Sequence, residues 1–280
     1  MYILLFLDLD LMPGQLDHYK ELWGLAADGD PFNTHSSLLQ PILYNDAKCM
    51  LKIAVSDEER RGNNLMTWWN GNGAAIVLLH DDAALLMERA NGERSLTEMA
   101  TQGRDDEAIQ IICLVVDRLH THQAPYPTDL IPLNTWFKSL GLIAERQGGV
   151  FAQCSQVANE LLNNPKNQIA LHGDIHHGNI LDFGEKGWLA IDPKGLIGER
   201  GFDYANLFCN PDAAIATDPG RFIKRIRAVS EAARLEPKRL LQWIAAWAAL
   251  SAAWAIEDGE NPEPALAVAN LALNRLNDIA

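Results

Sequence analysis

Along the 280-residue chain, the rhythm of apolar and polar positions changes near residue 90. Before that point apolar runs are short and separated by turn residues. "SSLLQPILYNDAKCMLKIAV" (36–55) holds two such runs on either side of Asn45-Asp46. This predicts a β-hairpin whose second strand carries Lys52 among apolar neighbours. Asp57 is placed to cap a following helix, with Glu58 and Glu59 in its first turn, where the helix dipole favours negative charge. That helix should run to about Trp69 and stop at "NGNG". "AAIVLLHDDAALLMERANG" (74–92) gives a second pair of strands around Asp81-Asp82. The first ninety residues therefore read as strands plus one helix.

Beyond "NGERS" the period lengthens. Ala108, Ile112, Val115, Val116 and Leu119 form one helical stripe, and Pro125, Pro127 and Pro132 mark an ordered loop or linker. Helices are predicted at roughly 135–147 and 150–163. A strand, "QIAL" (168–171), precedes "HGDIHHGN", and "NILDFGEKGWLAIDPKG" predicts a hairpin turning at "GEKG". The remainder is helical: Phe222, Ile226, Val229 and Ala233 stripe one helix, and Trp243, Trp247 and Trp254 share a face of another. The basic cluster Arg221, Lys224, Arg225 and Arg227 reads as the solvated face of its helix. The class is α+β, a β-rich first part followed by a mostly helical second part.

Composition, 48% hydrophobic and 21% charged, is that of a soluble globular chain with room for two lobes. A net charge of −14 argues against sequence-independent nucleic-acid binding, which draws on Lys and Arg. Acidity suits a cationic ligand or simply solubility. Cys49, Cys113, Cys154 and Cys209 are far apart with no CxxC pair, so free thiols and a reducing cytoplasm are expected. The apolar opening "MYILLFLDLDLM" lacks a basic start and is interrupted by Asp8 and Asp10, unlike a signal sequence. "LLQWIAAWAALSAAWAI" (240–256) is slightly short of a membrane span, contains Gln242 and Ser251, and is Ala-rich. A buried helix is expected there, and no membrane partner.

The chemistry concentrates in "LHGDIHHGNIL" (171–181). Two readings compete. His172 and His176 could bind a metal together if the segment were helical, but Gly173 and Gly178 disfavour a helix, and the cysteines lie far off. Alternatively, Asp174 and Asn179 keep the Asp-x4-Asn spacing of a phosphoryl-transfer loop: Asp takes the proton of an acceptor hydroxyl and Asn holds a metal. That chemistry needs a second metal-binding Asp after the next hairpin, and Asp192 stands there. It also needs a cation for the nucleotide phosphates, and Lys52 lies on an upstream strand. On this reading the histidines shape the loop, His172 holding backbone and His176 facing phosphate or acceptor.

At these residues the sequence resembles the aminoglycoside phosphotransferase family, and within it the streptomycin 6-kinase and hydroxyurea phosphotransferase branch. The stretches that carry the likeness are "LHGDIHHGNIL", "WLAIDPKGLIGERGFDYANLF", "ALLMERANG" and "WWNGNGAAIVLL". The resemblance implies a two-lobed protein-kinase-like fold, a nucleotide-binding N-lobe over 1–89 and a C-lobe over 90–280. It implies ATP and Mg2+, with Asp174 as base, Asn179 and Asp192 as metal ligands and Lys52 on the phosphates. Glu88 to Ala90 would form the hinge beside adenine, Asp203 would brace the catalytic loop, and "FNTHSS" (32–37), with Ser36 and Ser37, would be the nucleotide loop. This loop lacks the G-x-G-x-x-G of protein kinases. The helix carboxylate that orients Lys52 is not at its usual distance from "WWNG", and Glu59, one turn earlier, is the choice over Glu58. The expected acceptor is a small cationic or polyhydroxylated molecule, an aminoglycoside such as streptomycin. Glu257 and Asp258, beyond the buried C-terminal helix, are candidate contacts for its cations. A kinase of hydroxyurea or of a metabolite, or a silent kinase-like binding module, are the alternatives.

Overall fold

The computed structural model describes residues 12–34, 37–123 and 125–279. The opening apolar run through Leu11 and Ser36 of the nucleotide loop lie outside the described residues. Helix α1 (Met12–Trp23) comes first. It adds a second helix to a region expected to hold one, because Leu16 and Tyr19, three apart, bury against the sheet. The sheet follows: β1 (Ala26–Ala27), β2 (Phe32–Asn33), β3 (Ser37–Tyr44), β4 (Ala47–Ala54), then helix α2 (Asp57–Trp69), then β5 (Val77–His80) and β6 (Ala84–Glu88). Its antiparallel order is β1-β3-β4-β6-β5, with β2 also pairing β3. Asn45 and Asp46, with φ of 50° and 62°, form the two-residue turn of the β3–β4 hairpin. Both sit in the left-handed region that this turn needs and that Asn and Asp tolerate best.

Strand alternation decides where Lys52 points. Leu51 and Ile53 bury in a core shared with α1, so Lys52 between them faces the opposite side, toward α2. Ser56 starts α2, not Asp57 as the sequence suggested: Ser56 is extended (φ −142°, ψ 164°) and its hydroxyl accepts the Glu59 N–H. Asp57 is the first helical residue, where its charge still meets the dipole.

The second part is helical around a small set of strands. Helices α3 (Leu96–Thr101) and α4 (Asp105–Leu119) precede β7 (Ile131–Pro132), α5 (Leu133–Trp136), α6 (Lys138–Gln147) and α7 (Gly149–Asn163). The strands β8 (Gln168–Leu171), β9 (Ile180–Asp182), β10 (Trp188–Ala190) and β11 (Leu196–Glu199) follow, then α8 (Ala213–Ala216), α9 (Pro219–Ala233), α10 (Pro237–Glu257) and α11 (Glu263–Asp278). The β9–β10 hairpin has the expected form, Trp188 opposite Asp182. Strand β11 was not foreseen. It lies between β7 and β8 and so anchors the segment after Asp192 beside the strand that enters "HGDIHHGN". Helix α10 is long and apolar enough to cross a membrane, yet 67% of its most apolar window is buried in the fold. Trp243 and Trp247 lie in the main core and Trp254 packs against it.

One expectation about α9 fails. Arg225 is 1% exposed and makes a bidentate pair with Asp105, Nε–Oδ2 2.9 Å and Nη2–Oδ1 2.8 Å. It also donates to the Leu207 and Asn210 carbonyls. The physical reason is positional: Arg225 stands three after Phe222 and four before Val229, on the apolar stripe itself.

Candidate active site

Lys52, 3% exposed, places its ammonium between Glu59 Oε2 and Asp192 Oδ1 in two very close ion pairs. Glu59 is therefore the helix carboxylate that meets Lys52. Its Oε2 also accepts the Ser37 hydroxyl at 2.8 Å. Ser37, expected among phosphate contacts, is buried at 4% and spends its hydroxyl behind this pair. Glu58 instead faces a second lysine that the sequence reading overlooked. Lys194 Nζ lies 3.4 Å from Glu58 Oε1, 3.4 Å from Glu59 Oε1 and 4.0 Å from Asp192 Oδ2. Desolvation works against its charge, but Asp192, Glu59 and Glu58 outweigh it and raise the pKa of Lys194 above the ordinary lysine value. For Asp192 desolvation pushes the carboxyl up, and the ammoniums of Lys52 and Lys194 overcome it and hold it below the usual carboxylate range.

Two close approaches fix this corner. A Cβ on Gly62 of α2 would fall on the Pro193 carbonyl, so only glycine lets the helix lie against the segment after Asp192. Asp192 itself has φ +61°, a costly conformation for a residue with a side chain; such strain clusters at functional sites.

Strand β8 delivers the segment "HGDIHHGN". Gly173, at φ +84°, has Leu196 and Lys194 against the position a Cβ would take. Asp203, 1% exposed, accepts the His172 N–H at 3.0 Å and the Gly173 N–H at 2.7 Å. His120 Nε2 lies 2.8 Å from the same carboxylate, a partner 83 residues away in sequence. His172 Nε2 donates to the Ile191 carbonyl at 2.9 Å, while Nδ1 accepts the Asp174 N–H at 3.2 Å. These bonds set its tautomer, and burial holds its pKa below the ordinary histidine value. The ring stacks on Trp69 of α2, centroids 6.0 Å apart.

The loop brings Asp174 and Asn179 together. Asn179 Nδ2 donates to Asp174 Oδ2 at 3.1 Å and to the Asp174 carbonyl at 2.9 Å. Asp174 Oδ1 accepts a bond from Asn206 Nδ2 at 2.7 Å, a residue absent from the sequence reading. His176 Nε2 stands 3.9 Å from Asp174 Oδ2, and its Nδ1 accepts the Gly178 N–H at 3.0 Å. His177 turns inward at 2% exposure. The three histidines thus diverge, rather than converging on one point as a shared metal site would need.

A divalent cation suits the oxygens that remain. With Nδ2 of Asn179 committed to Asp174, its Oδ1 is the atom left to bind, and the Ile191 N–H bond to the Asn179 carbonyl ties it to the residue before Asp192. Two hard oxygen ligands from the protein, with phosphate and water completing the shell, is the usual provision for Mg2+.

At the hinge, the Glu88 N–H bonds the Ile76 carbonyl and the Arg89 N–H bonds the Lys48 carbonyl. The Glu88 carboxylate accepts the Ile76 N–H and pairs with Lys186. The N–H and carboxylate of Glu88 are thus used within the fold, and the Ala90 N–H of the expected hinge has no intrachain acceptor among the described residues. At the end of α10 the two acids part: Glu257 is its last residue and Asp258 its cap. Glu257 accepts a bond from Ser139 at 3.1 Å, whereas Asp258 lines a cavity of about 320 Å³ together with Glu260, Trp254, Ser251, Asn261 and Cys209. Asn206 and Cys209 sit on one 3-10 helix, Asn206–Cys209. One end therefore touches Asp174 and the other borders the cavity.

Residues 22–259 match the family described as aminoglycoside/hydroxyurea antibiotic resistance kinase. The chain is 46% identical to the streptomycin 3''-kinase of Klebsiella pneumoniae, over 91% of this chain and 97% of that one. It is 29% identical to the streptomycin 6-kinase of Streptomyces griseus, over 89% and 84%. Among solved structures, amicoumacin kinase in complex with AMP-PNP, Ca2+ and Ami shares the fold at a TM-score of 0.63. It is 16% identical, covering 94% of this chain and 93% of that one.

Proposed function

The chain belongs to the aminoglycoside/hydroxyurea antibiotic resistance kinase family, and from that premise we propose that it phosphorylates streptomycin with ATP, at the 3''-hydroxyl. The family membership makes it a small-molecule kinase with a protein-kinase-like fold. The choice of streptomycin and of the 3'' position rests on the relative at 46% identity, against 29% for the 6-kinase. The observation that carries the chemistry is two close pairs, Lys52 with Asp192 and Asn179 with Asp174, joined through the Ile191 N–H, which bonds the Asn179 carbonyl at 2.9 Å.

Asp174 is placed to accept the proton of the acceptor hydroxyl as its oxygen bonds to the γ-phosphorus. The bond from that phosphorus to the β–γ bridging oxygen breaks, and ADP leaves with the electron pair. Such transfers demand little covalent work, so positioning and charge neutralisation dominate. Lys52, oriented by Glu59, neutralises charge on the nucleotide phosphates, and the Ala90 N–H is free to bond the base. Asn179 Oδ1 and Asp192 would hold Mg2+, which supplies charge stabilisation on the phosphates when bound. The cavity beside Cys209 would take the acceptor, with Asp258 and Glu260 answering its cations and Trp254 supplying an aromatic wall.

The test is ATP consumption by the purified protein over streptomycin, other aminoglycosides and hydroxyurea, with mass spectrometry and NMR of each product. One phosphoryl group on the streptomycin 3''-hydroxyl is the expected result. Phosphorylation of hydroxyurea alone, or ADP without a phosphorylated acceptor, would overturn the proposal.

A further inference from the structure

Asp174 is held from two sides, and only one of them belongs to the Asp-x4-Asn motif. The other is Asn206, 8% exposed, whose Nδ2 lies 2.7 Å from Asp174 Oδ1. This is the shorter of the two side-chain bonds to that carboxylate, the Asn179 bond being 3.1 Å. The direction of the Asn206 amide follows from its own surroundings. Its Oδ1 receives the Trp247 indole N–H at 3.0 Å and the Asn210 Nδ2 at 3.0 Å. Indole N–H can only donate, so Oδ1 must face Trp247 and Nδ2 must face Asp174. A flipped amide would set two donors against each other and two acceptors against each other.

We propose that Asn206 is the positioning residue for the base: it fixes the Asp174 carboxylate plane so that one oxygen, Oδ2, is presented to the acceptor hydroxyl, and Trp247 and Asn210 hold Asn206 in the orientation that does this. The inference rests on Asp174 being the base. The supports are rigid. Trp247 is 5% exposed on α10, and its ring meets Phe202 at 5.3 Å and Trp254 at 5.5 Å between centroids. Asn206 shares its short helix with Cys209 at the cavity wall, so the element that borders the acceptor cavity also aims the base. Lys52, Glu59 and Asp192 make none of these contacts, which separates the device from the nucleotide phosphates.

The role predicts a split between rate and nucleotide binding. Asn206→Asp keeps the size and the oxygen that receives Trp247 and Asn210, but turns an acceptor toward Asp174. It should lower kcat by about 10- to 100-fold, the loss expected when a reacting group is misplaced by an ångström or less. KM for ATP and the ATP affinity from calorimetry should stay within about twofold. Asn206→Ala should fall in the same direction, and Trp247→Phe, which frees the amide to flip while preserving the aromatic packing, should lose less. Melting temperatures are recorded alongside. Normal kcat in Asn206→Asp and Trp247→Phe, or a rate loss matched by an equal loss of ATP affinity, would overturn the proposal. Asp174→Ala is measured in the same series. If it is inactive while the Asn206 variants are normal, only this inference fails. If it turns over normally, the base assignment fails and takes this inference with it.

Discussion

The third histidine of "HGDIHHGN" gives the sharpest energetic prediction, because it is buried and neutral within that segment. His177 is 2% exposed, and neither ring nitrogen has a protein partner among the described residues. Burial first, and then the Arg225 guanidinium, pull its pKa from the ordinary 6.5 down to about 3. In the unfolded chain the ring takes a proton near pH 6.5, whereas in the folded protein it does so only near pH 3. Between those values the unfolded state binds more protons, so stability falls as pH drops from about 6.5 toward about 3, and His177 has no effect above that window. At about 1.4 kcal/mol per pH unit the full loss is on the order of 5 kcal/mol. His177→Leu keeps the volume and removes the titration. Urea unfolding at pH 7, 6, 5 and 4 should show a stability curve flatter for the variant by roughly 1 kcal/mol per pH unit below 6. At pH 7 the variant should be at least as stable as the parent, since a buried polar ring without partners costs about 1–3 kcal/mol. Parallel curves for the two proteins across pH 4–6.5 would refute the reasoning, as would a large loss at pH 7.

Other substitutions probe separate parts of the account. Gly62→Ala pushes a methyl onto the Pro193 carbonyl, so it should cost about 1–3 kcal/mol and raise KM for ATP. Gly141→Ala, in α6 with open space around it, should gain about 0.5–1 kcal/mol by helix propensity and leave kinetics unchanged. Both are read by chemical denaturation and steady-state rates. Arg225→Met strands Asp105 in the interior and should cost about 3–5 kcal/mol in urea unfolding. Asp258→Asn with Glu260→Gln should raise KM for streptomycin about tenfold with KM for ATP unchanged, the signature of a lost acceptor contact.

Much of the site could be read from sequence because its parts are short-range or patterned. Asp174 and Asn179 lie five apart in one loop, Asp192 follows the hairpin directly, and Lys52 is marked by apolar neighbours on a predicted strand. Glu59 was a choice between two neighbouring acids, since the usual distance from "WWNG" holds none. Asn206 and His120 left no such trace. They reach Asp174 and Asp203 across 32 and 83 residues, and nothing in their local sequence separates them from ordinary polar residues. Lys194 does leave a signal, a second lysine two residues after Asp192 in "DPKG". Arg225 was misread because a basic cluster suggested solvent, although its spacing from Phe222 and Val229 placed it on the buried stripe. The β3–β4 hairpin, α2 and the β5–β6 pair were legible, but α1 and β11 were not: they are short or weakly patterned, and tertiary pairing makes them.

The central claim, that Asp174 is the base of a streptomycin-phosphorylating site, is tested most directly by comparing the parent and Asp174→Ala proteins with ATP, Mg2+ and streptomycin. Phosphorylated streptomycin is measured by mass spectrometry and ATP affinity by calorimetry. The account predicts one phosphoryl group per streptomycin for the parent. For the variant it predicts a turnover lower by about 10²- to 10⁴-fold, the range for loss of a general base, with ATP affinity nearly unchanged. Near-normal turnover by Asp174→Ala, or no phosphorylated streptomycin from the parent, would contradict it.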